Sequence, residues 1–192
     1  MEAMSVVQPY RFTVEDFARM GEAGVFPEDA RVELLDGQII EMNPIGIPHA
    51  GTVKALNRLF SKLVGDRAIV SIQDPAVLGD FSEPQPDVML LRPREDSYRT
   101  AHPEARDVLL LIEVADTTVR LDRGLKASIY ARAGIQEYWI VDVRRRAVEV
   151  YRDPTGDAYR LVEEHRDGPV SPAALPGIEL DVGEILGPEP AQ

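Results

Sequence analysis

Apolar residues along this chain recur with two different periods. Val88–Leu91 and Val108–Val114 are apolar on both parities, apart from Glu113. A run of that kind is a strand covered on both faces, so both belong in the middle of a sheet. Glu137–Val143 reads the same way. Arg31–Met42 holds two apolar arms around Asp36-Gly37, a tight-turn signal that predicts a hairpin. Ala68–Leu78 predicts a strand interrupted at Asp74-Pro75, and Ala147–Arg152 with Ala158–Glu163 predicts a second hairpin around Pro154–Gly156. Helical spacing marks three other stretches. Thr13–Gly24 opens on a capping-box-like Thr13…Asp16 pair and stops at a glycine. His49–Val64 places Val53, Leu56, Leu59, Phe60 and Leu63 on one face. The third helix follows the caps Asp116, Thr117 and Thr118, turns Leu121, Leu125 and Ile129 inward, and ends near Ala133 before Gly134. Strand, helix, strand over Val108–Val143 is a crossover, which makes those two strands parallel. The expected class is α/β in a mixed α+β arrangement, a central mixed sheet flanked by helices.

The polar interruptions of these patterns carry the chemistry. Asp87 opens the first buried run and Glu113 lies near the end of the second. Antiparallel pairing makes them neighbours, with Cβ atoms roughly 5–8 Å apart. Two carboxylates that close either share a proton or hold a cation between them; alternatively Asp87 caps the turn after Pro86 and Glu113 pairs with an arginine. Glu33 stands among apolar neighbours in the first hairpin arm, either facing outward or joining a site. His49 opens its helix, as a capping residue or as one that orients a water or phosphate. Gln85 is forced extended by Pro86. Lys126 follows Leu125, about 100° around the helix from the apolar stripe. Its side chain either reaches back to the rim holding Glu113 or pairs with Asp122 at the surface. Tyr130, one turn on, flanks the same place.

Charge narrows the options. The 192 residues carry 21 Lys and Arg against 33 Asp and Glu, a net charge of −12. A protein that coats nucleic acid by overall charge is basic, so contacts with such a polymer need a local patch. Only Lys54, Lys62 and Lys126 among the basic residues are lysines. There is no cysteine, hence no disulfide, thiolate metal site or thiol nucleophile. No apolar run reaches the ~18 residues of a membrane span, and the N-terminus has no secretory pattern; a cytoplasmic location is expected. Gly-x-Ser-x-Gly and phosphate-cradling Gly-Lys-Ser/Thr loops are absent, so neither serine hydrolysis nor a nucleotide cofactor is expected. A two-carboxylate glycosidase needs a sugar platform, and the single tryptophan, Trp139, lies inside an apolar strand.

The ordered set Val-Glu-Leu-Leu-Asp-Gly (32–37), His49, Gln85-Pro86-Asp87, Ile-Glu-Val (112–114), Asp122-Arg123, Lys126, Tyr130 and Ala-Gly-Ile-Gln-Glu-Tyr-Trp-Ile-Val-Asp (133–142) resembles the Uma2 (DUF820) family of restriction-endonuclease-like proteins. The resemblance runs from about Thr13 to Leu186 and extends to the PD-(D/E)XK nuclease superfamily. It implies a single restriction-endonuclease-like domain over 1–192 with its core at about 13–186, a Mg²⁺- or Mn²⁺-dependent site, and DNA as substrate. Under it Asp87 and Glu113 match the metal ligands, and Lys126 stands in for a lysine that the superfamily places where this chain has Ala115. Glu33, His49, Gln85 and Tyr130 match further family positions. Arg120, Arg123 and Arg132, with Arg92, Arg94 and Arg99, become candidates for phosphate contacts, and a homodimer is expected by analogy. The acidic charge and Ala115 leave one alternative: a catalytically silent module binding nucleic acid or protein on the same scaffold.

Overall fold

The computed structural model describes residues 8–189. Helix α1 (Val14–Glu22) is capped as its sequence predicts: the Thr13 hydroxyl accepts from the Asp16 N–H and the Asp16 carboxylate accepts from the Thr13 N–H. Strands β1 (Val32–Leu35) and β2 (Gln38–Glu41) form the predicted hairpin, and Asp36 and Gly37 both take the positive φ that its two-residue turn requires. Helix α2 (Ile47–Leu63) begins two residues before the predicted His49, because Pro48 fits a first helical turn whose N–H groups have no partner anyway.

The main sheet has six strands in the order β3-β4-β5-β6-β7-β8. These are β3 (Ile69–Ile72), β4 (Val88–Leu91), β5 (Val108–Ala115), β6 (Glu137–Asp142), β7 (Ala147–Thr155) and β8 (Ala158–His165). Only β5 and β6 run parallel, as the crossover between them requires; the other pairs are antiparallel. Every residue of β4, β5 and β6 is buried. Alternate side chains feed two cores: Ile112, Trp139 and Val150 pack with Phe60 of α2, whereas Leu111, Tyr138 and Tyr151 pack with Tyr130 on the opposite face. Glu113 shares its parity with Leu111, so it faces the Tyr130 side.

Three expectations need correction. The strand predicted over Ala68–Leu78 stops at Ile72, because Gln73 takes a positive φ of 55° and turns the chain away before Asp74-Pro75. The second hairpin turns at Gly156-Asp157 rather than Pro154–Gly156, so Pro154 sits inside β7. The crossover helix is a composite: α3 (Val119–Leu121), a π turn over Asp122–Lys126, and α4 (Ala127–Arg132). In the π turn the Ala127 N–H reaches five residues back to the Asp122 carbonyl. The extra residue rotates the buried face, so that Asp122, Lys126 and Tyr130 point inward while Leu121 and Leu125 are half-buried. A two-residue pair β9 (Pro169–Val170) and β10 (Leu180–Asp181) leads to α5 (Val182–Leu186), which packs on α2. Of the termini outside the expected core at about 13–186, residues 1–7 and 190–192 lie outside the described residues.

Candidate active site

The register of β4 on β5 sets Val88 against Ile112, which carries Asp87 to the position opposite Glu113. The two acids therefore stand side by side at one end of the buried sheet, as the sequence predicts. The β1–β2 hairpin, the N-terminus of α2 and the crossover helix wall this end and leave a cavity of about 320 Å³. Glu33, His49, Asp87, Glu113, Asp122 and Lys126 all line it.

Asp87 is held from three directions. Its Oδ2 accepts from the Val114 N–H at 2.8 Å and lies 3.0 Å from His49 Nε2; its Oδ1 accepts from the Gln73 side-chain amide at 3.1 Å. Such a carboxylate cannot rotate without breaking charge-assisted bonds. Glu113 is held through one oxygen only: Oε1 accepts from Lys126 Nζ at 2.9 Å and from the Tyr130 hydroxyl at 2.5 Å. Lys126 Nζ also lies 3.1 Å from Glu33 Oε2, which in turn accepts from the Gln85 N–H at 3.2 Å. Lys126 is thus a buried bridge between two carboxylates and not a surface partner of Asp122, and Glu33 faces inward. Gln85 contributes its backbone N–H. The Thr118 hydroxyl donates to Asp122 at 2.6 Å.

Four carboxylates, Glu33, Asp87, Glu113 and Asp122, are between 2% and 6% exposed and share this cavity with one ammonium. Burial pushes Glu113 up to about 8; Lys126 opposes this, while Asp122, Asp87 and Glu33 add to it. Burial likewise pushes Asp122 up to about 6 against the pull of Lys126 and Thr118. Burial works against the charge of Lys126 too, but Glu113, Glu33 and Asp122 outweigh it and hold the ammonium above its ordinary value. Burial and the adjacent Glu113 keep the Tyr130 hydroxyl protonated. The cluster carries more negative charge than one lysine can neutralise. Among the described residues no three His, Asp or Glu side chains are gathered closely enough to enclose a metal ion by themselves.

Gln73, Asp122 and Thr118 are site residues that sequence reasoning missed. The strand break before Asp74-Pro75 was the available signal for Gln73; the four-residue spacing from Asp122 to Lys126 was the signal for Asp122. The arginines expected to meet phosphate are mostly placed otherwise. Arg92, Arg94 and Arg99 follow β4 at the far end of the sheet from Asp87, about 13 Å of strand away. Arg94 pairs with Asp96 and Arg92 with the Arg106 carbonyl. Arg123 is tied to Glu149 and Asp142, and Arg132 to Asp36. Arg120 is exposed. A cavity of about 1050 Å³ elsewhere, lined by Arg11, Asp36, Arg106 and Arg132, holds only Arg132 of the residues predicted to meet substrate and none of the predicted metal-binding or catalytic ones.

Comparison with known proteins bears on the fold and the family. A solved structure from Anabaena variabilis ATCC 29413, titled as that of a putative nuclease belonging to DUF820, superposes with a TM-score of 0.71. It is 19% identical and covers 91% of this chain and 97% of its own, which establishes a common fold. No curated protein matches the sequence. No described helix is long and apolar enough to cross a membrane. The sequence model of Uma2, whose description reads "Putative restriction endonuclease", matches residues 14–183. A match over nearly the whole chain, on a mixed sheet that sets Asp87 beside Glu113, makes the protein a member of the Uma2 family.

Proposed function

We propose that the protein is a divalent-metal-dependent nuclease that hydrolyses phosphodiester bonds in DNA. The observation that carries this reading is the charge imbalance: four buried carboxylates and a single ammonium on one cavity. The donor set fits Mg²⁺ or Mn²⁺. Both are hard cations that take carboxylate oxygen, and Mg²⁺ is commonly held by one or two carboxylates, waters and substrate phosphate rather than by a full protein cage. Asp87 and Glu113 are the proposed ligands, with Glu33 beside them. When bound, such an ion supplies an acidified water and neutralises charge on the phosphate.

The protein's own residues do the rest. Val114 N–H, His49 and Gln73 fix the Asp87 carboxylate in one orientation. Tyr130 and Lys126 both hold Oε1 of Glu113, which leaves Oε2 as the donor without a side-chain partner. Lys126 keeps a positive charge at the cavity wall, where it can stabilise charge building on the phosphate oxygens as water adds. It performs from the helix the task that Ala115 cannot perform from the strand.

Nicking of supercoiled plasmid with Mn²⁺ or Mg²⁺ tests this. Wild type should nick, and Asp87→Ala and Lys126→Ala should each lose at least about a hundredfold, as loss of a transition-state contact does. Equal activity in all three discards the assignment. One observation favours the silent-module alternative: Lys126 already bridges Glu33 and Glu113. Titration calorimetry separates the two, because a silent module need not take up Mn²⁺ at Asp87.

A further inference from the structure

The nuclease reading leaves open which form of DNA the cavity can admit, and the surroundings of the carboxylates bear on that. We infer that the site acts on a strand that is unpaired at the scissile phosphate and not on intact duplex; the inference rests on the nuclease reading above.

Three observations carry it. First, the carboxylates lie at the bottom of a small cavity rather than on a ridge or open groove. The loop after β2 folds over it and meets the loop after β5: a Cβ added at Gly46 would stand 3.2 Å from Asp116 Oδ2. Asp116 is itself fixed by Arg144 at 2.7 Å, so this rim has a braced side. Duplex DNA carries its phosphates on the outside of a stiff rod, and one phosphodiester cannot enter a recess without its neighbours and the opposite strand striking the rim. A single strand can bend one nucleotide inward, which is why enzymes that work in recessed pockets use unpaired or extruded nucleotides.

Second, the rim is poor in the cations that a phosphate track for duplex needs: Arg144 there is engaged by Asp116, and Arg120 stands exposed beyond Thr118. Beyond Lys126 the cavity is lined by one further cation, Arg31, against Glu41 and Asp116 in addition to the four buried acids. Duplex presents one charge per ~1.7 Å of axis and is gripped through several Lys or Arg contacts. The loop arginines that might have supplied such contacts stand at the other end of the sheet.

Third, the rim offers apolar surface instead. Residues 42–48 read Met-Asn-Pro-Ile-Gly-Ile-Pro, without one charged side chain. Ile47 is 91% exposed and Ile45 is 44% exposed, and Ile45 lines the mouth of the cavity. Aliphatic side chains presented this way pack on base faces that are no longer stacked in a helix. In intact duplex those faces are covered, and reaching them costs a few kcal/mol of unstacking per step that an unpaired strand does not incur.

The test compares three end-labelled oligonucleotides with Mn²⁺: a single strand, a blunt duplex of the same sequence, and that duplex with a central unpaired bubble. The single strand and the bubble should be cut at least about tenfold faster than the duplex, as the cost of unpairing a nucleotide dictates. Ile47→Asp should raise KM for the single strand severalfold while Mn²⁺ binding by calorimetry is unchanged. Duplex cut as fast as single strand overturns this inference and leaves the nuclease reading standing, as does an Ile47→Asp variant with unaltered KM. No cleavage of any of the three by Mn²⁺-loaded protein overturns the nuclease reading, and this inference with it.

Discussion

Replacing Lys126 by methionine keeps the length of the side chain and removes its charge. In the native protein the ammonium is 4% exposed and lies 2.9 Å from Glu113 and 3.1 Å from Glu33. Its removal leaves two carboxylates buried against one another with Asp122 nearby. Breaking a buried ion pair from one side costs about 3–5 kcal/mol. In a domain of this size that lowers Tm by roughly 6–20 °C. The loss depends on pH, and its sign follows from Glu113. Burial already raises that carboxyl from 4.5 to about 8, so its ionised form is disfavoured in the folded state. Stability therefore falls as pH rises from about 4.5 through about 8; without Lys126 it falls with the same one-proton slope over that interval and goes on falling above about 8, where wild type levels off. Below about 4.5 the carboxyl is protonated folded and unfolded alike, and the two proteins converge. Urea denaturation of wild type and Lys126→Met at pH 6 and pH 10, with a comparison with and without Mn²⁺ at pH 8, measures this. The gap should be narrow at pH 6 and wider by up to about 2–3 kcal/mol at pH 10, and at pH 8 Mn²⁺ should recover more stability in the variant than in wild type. A gap that does not widen by at least about 1 kcal/mol between pH 6 and pH 10 refutes the bridging role assigned to Lys126.

Three more outcomes follow from the geometry. Gln73→Gly relieves the positive φ of 55° but deletes the amide that holds Asp87 Oδ1. Stability by urea melt should stay within about 1 kcal/mol, while Mn²⁺ affinity by calorimetry drops about tenfold, as for other partners of ligands; unchanged affinity removes Gln73 from the site. Mn²⁺ affinity of the wild type should rise between about pH 6 and about pH 8, because Asp122 and Glu113 must lose protons over that interval. Glu113→Gln should flatten most of that rise, and a flat wild-type profile contradicts the assignment. Arg152→Ala takes the 2.7 and 3.0 Å donors from buried Glu137 but leaves it the Trp139 and Ala173 N–H groups. It should cost about 2–4 kcal/mol in chemical denaturation with nicking per folded molecule unaltered; lost nicking in folded protein would tie this distant cluster to the reaction.

The order of the central strands was legible because burial on both faces writes itself as unbroken apolar runs. Val88–Leu91, Val108–Val114 and Glu137–Val143 could hardly pair in any other way once the crossover fixed two of them parallel. The neighbouring placement of Asp87 and Glu113 follows from that register alone, since direct partners in an antiparallel pair lie on the same face. What was illegible depends on single backbone torsions and on one inserted residue. Nothing in the composition around Gln73 announces a positive φ, a conformation usually left to glycine or asparagine. The periodicity of Leu121, Leu125 and Ile129 assumes 3.6 residues per turn, and the π turn at Asp122–Lys126 breaks that assumption where it matters. The burial of Lys126 was therefore misread by one position, even though its reach towards Glu113 was not.

That local rewinding also places a cation beside the end of β5. A regular helix through this stretch would turn the Leu125 side inward and leave Asp122, Lys126 and Tyr130 off the buried face. Apolar burial would favour that arrangement. The π turn replaces it with an inward polar stripe: Lys126 is met by Glu33 and Glu113, Tyr130 by Glu113, and Asp122 by the Thr118 hydroxyl. A π turn inside an α-helix is a recurrent mark of functional positions because it trades regular hydrogen bonding for side-chain placement. Here it delivers the Lys126 ammonium to the end of β5 from the following helix, while Ala115 is buried in the apolar cluster beneath that helix.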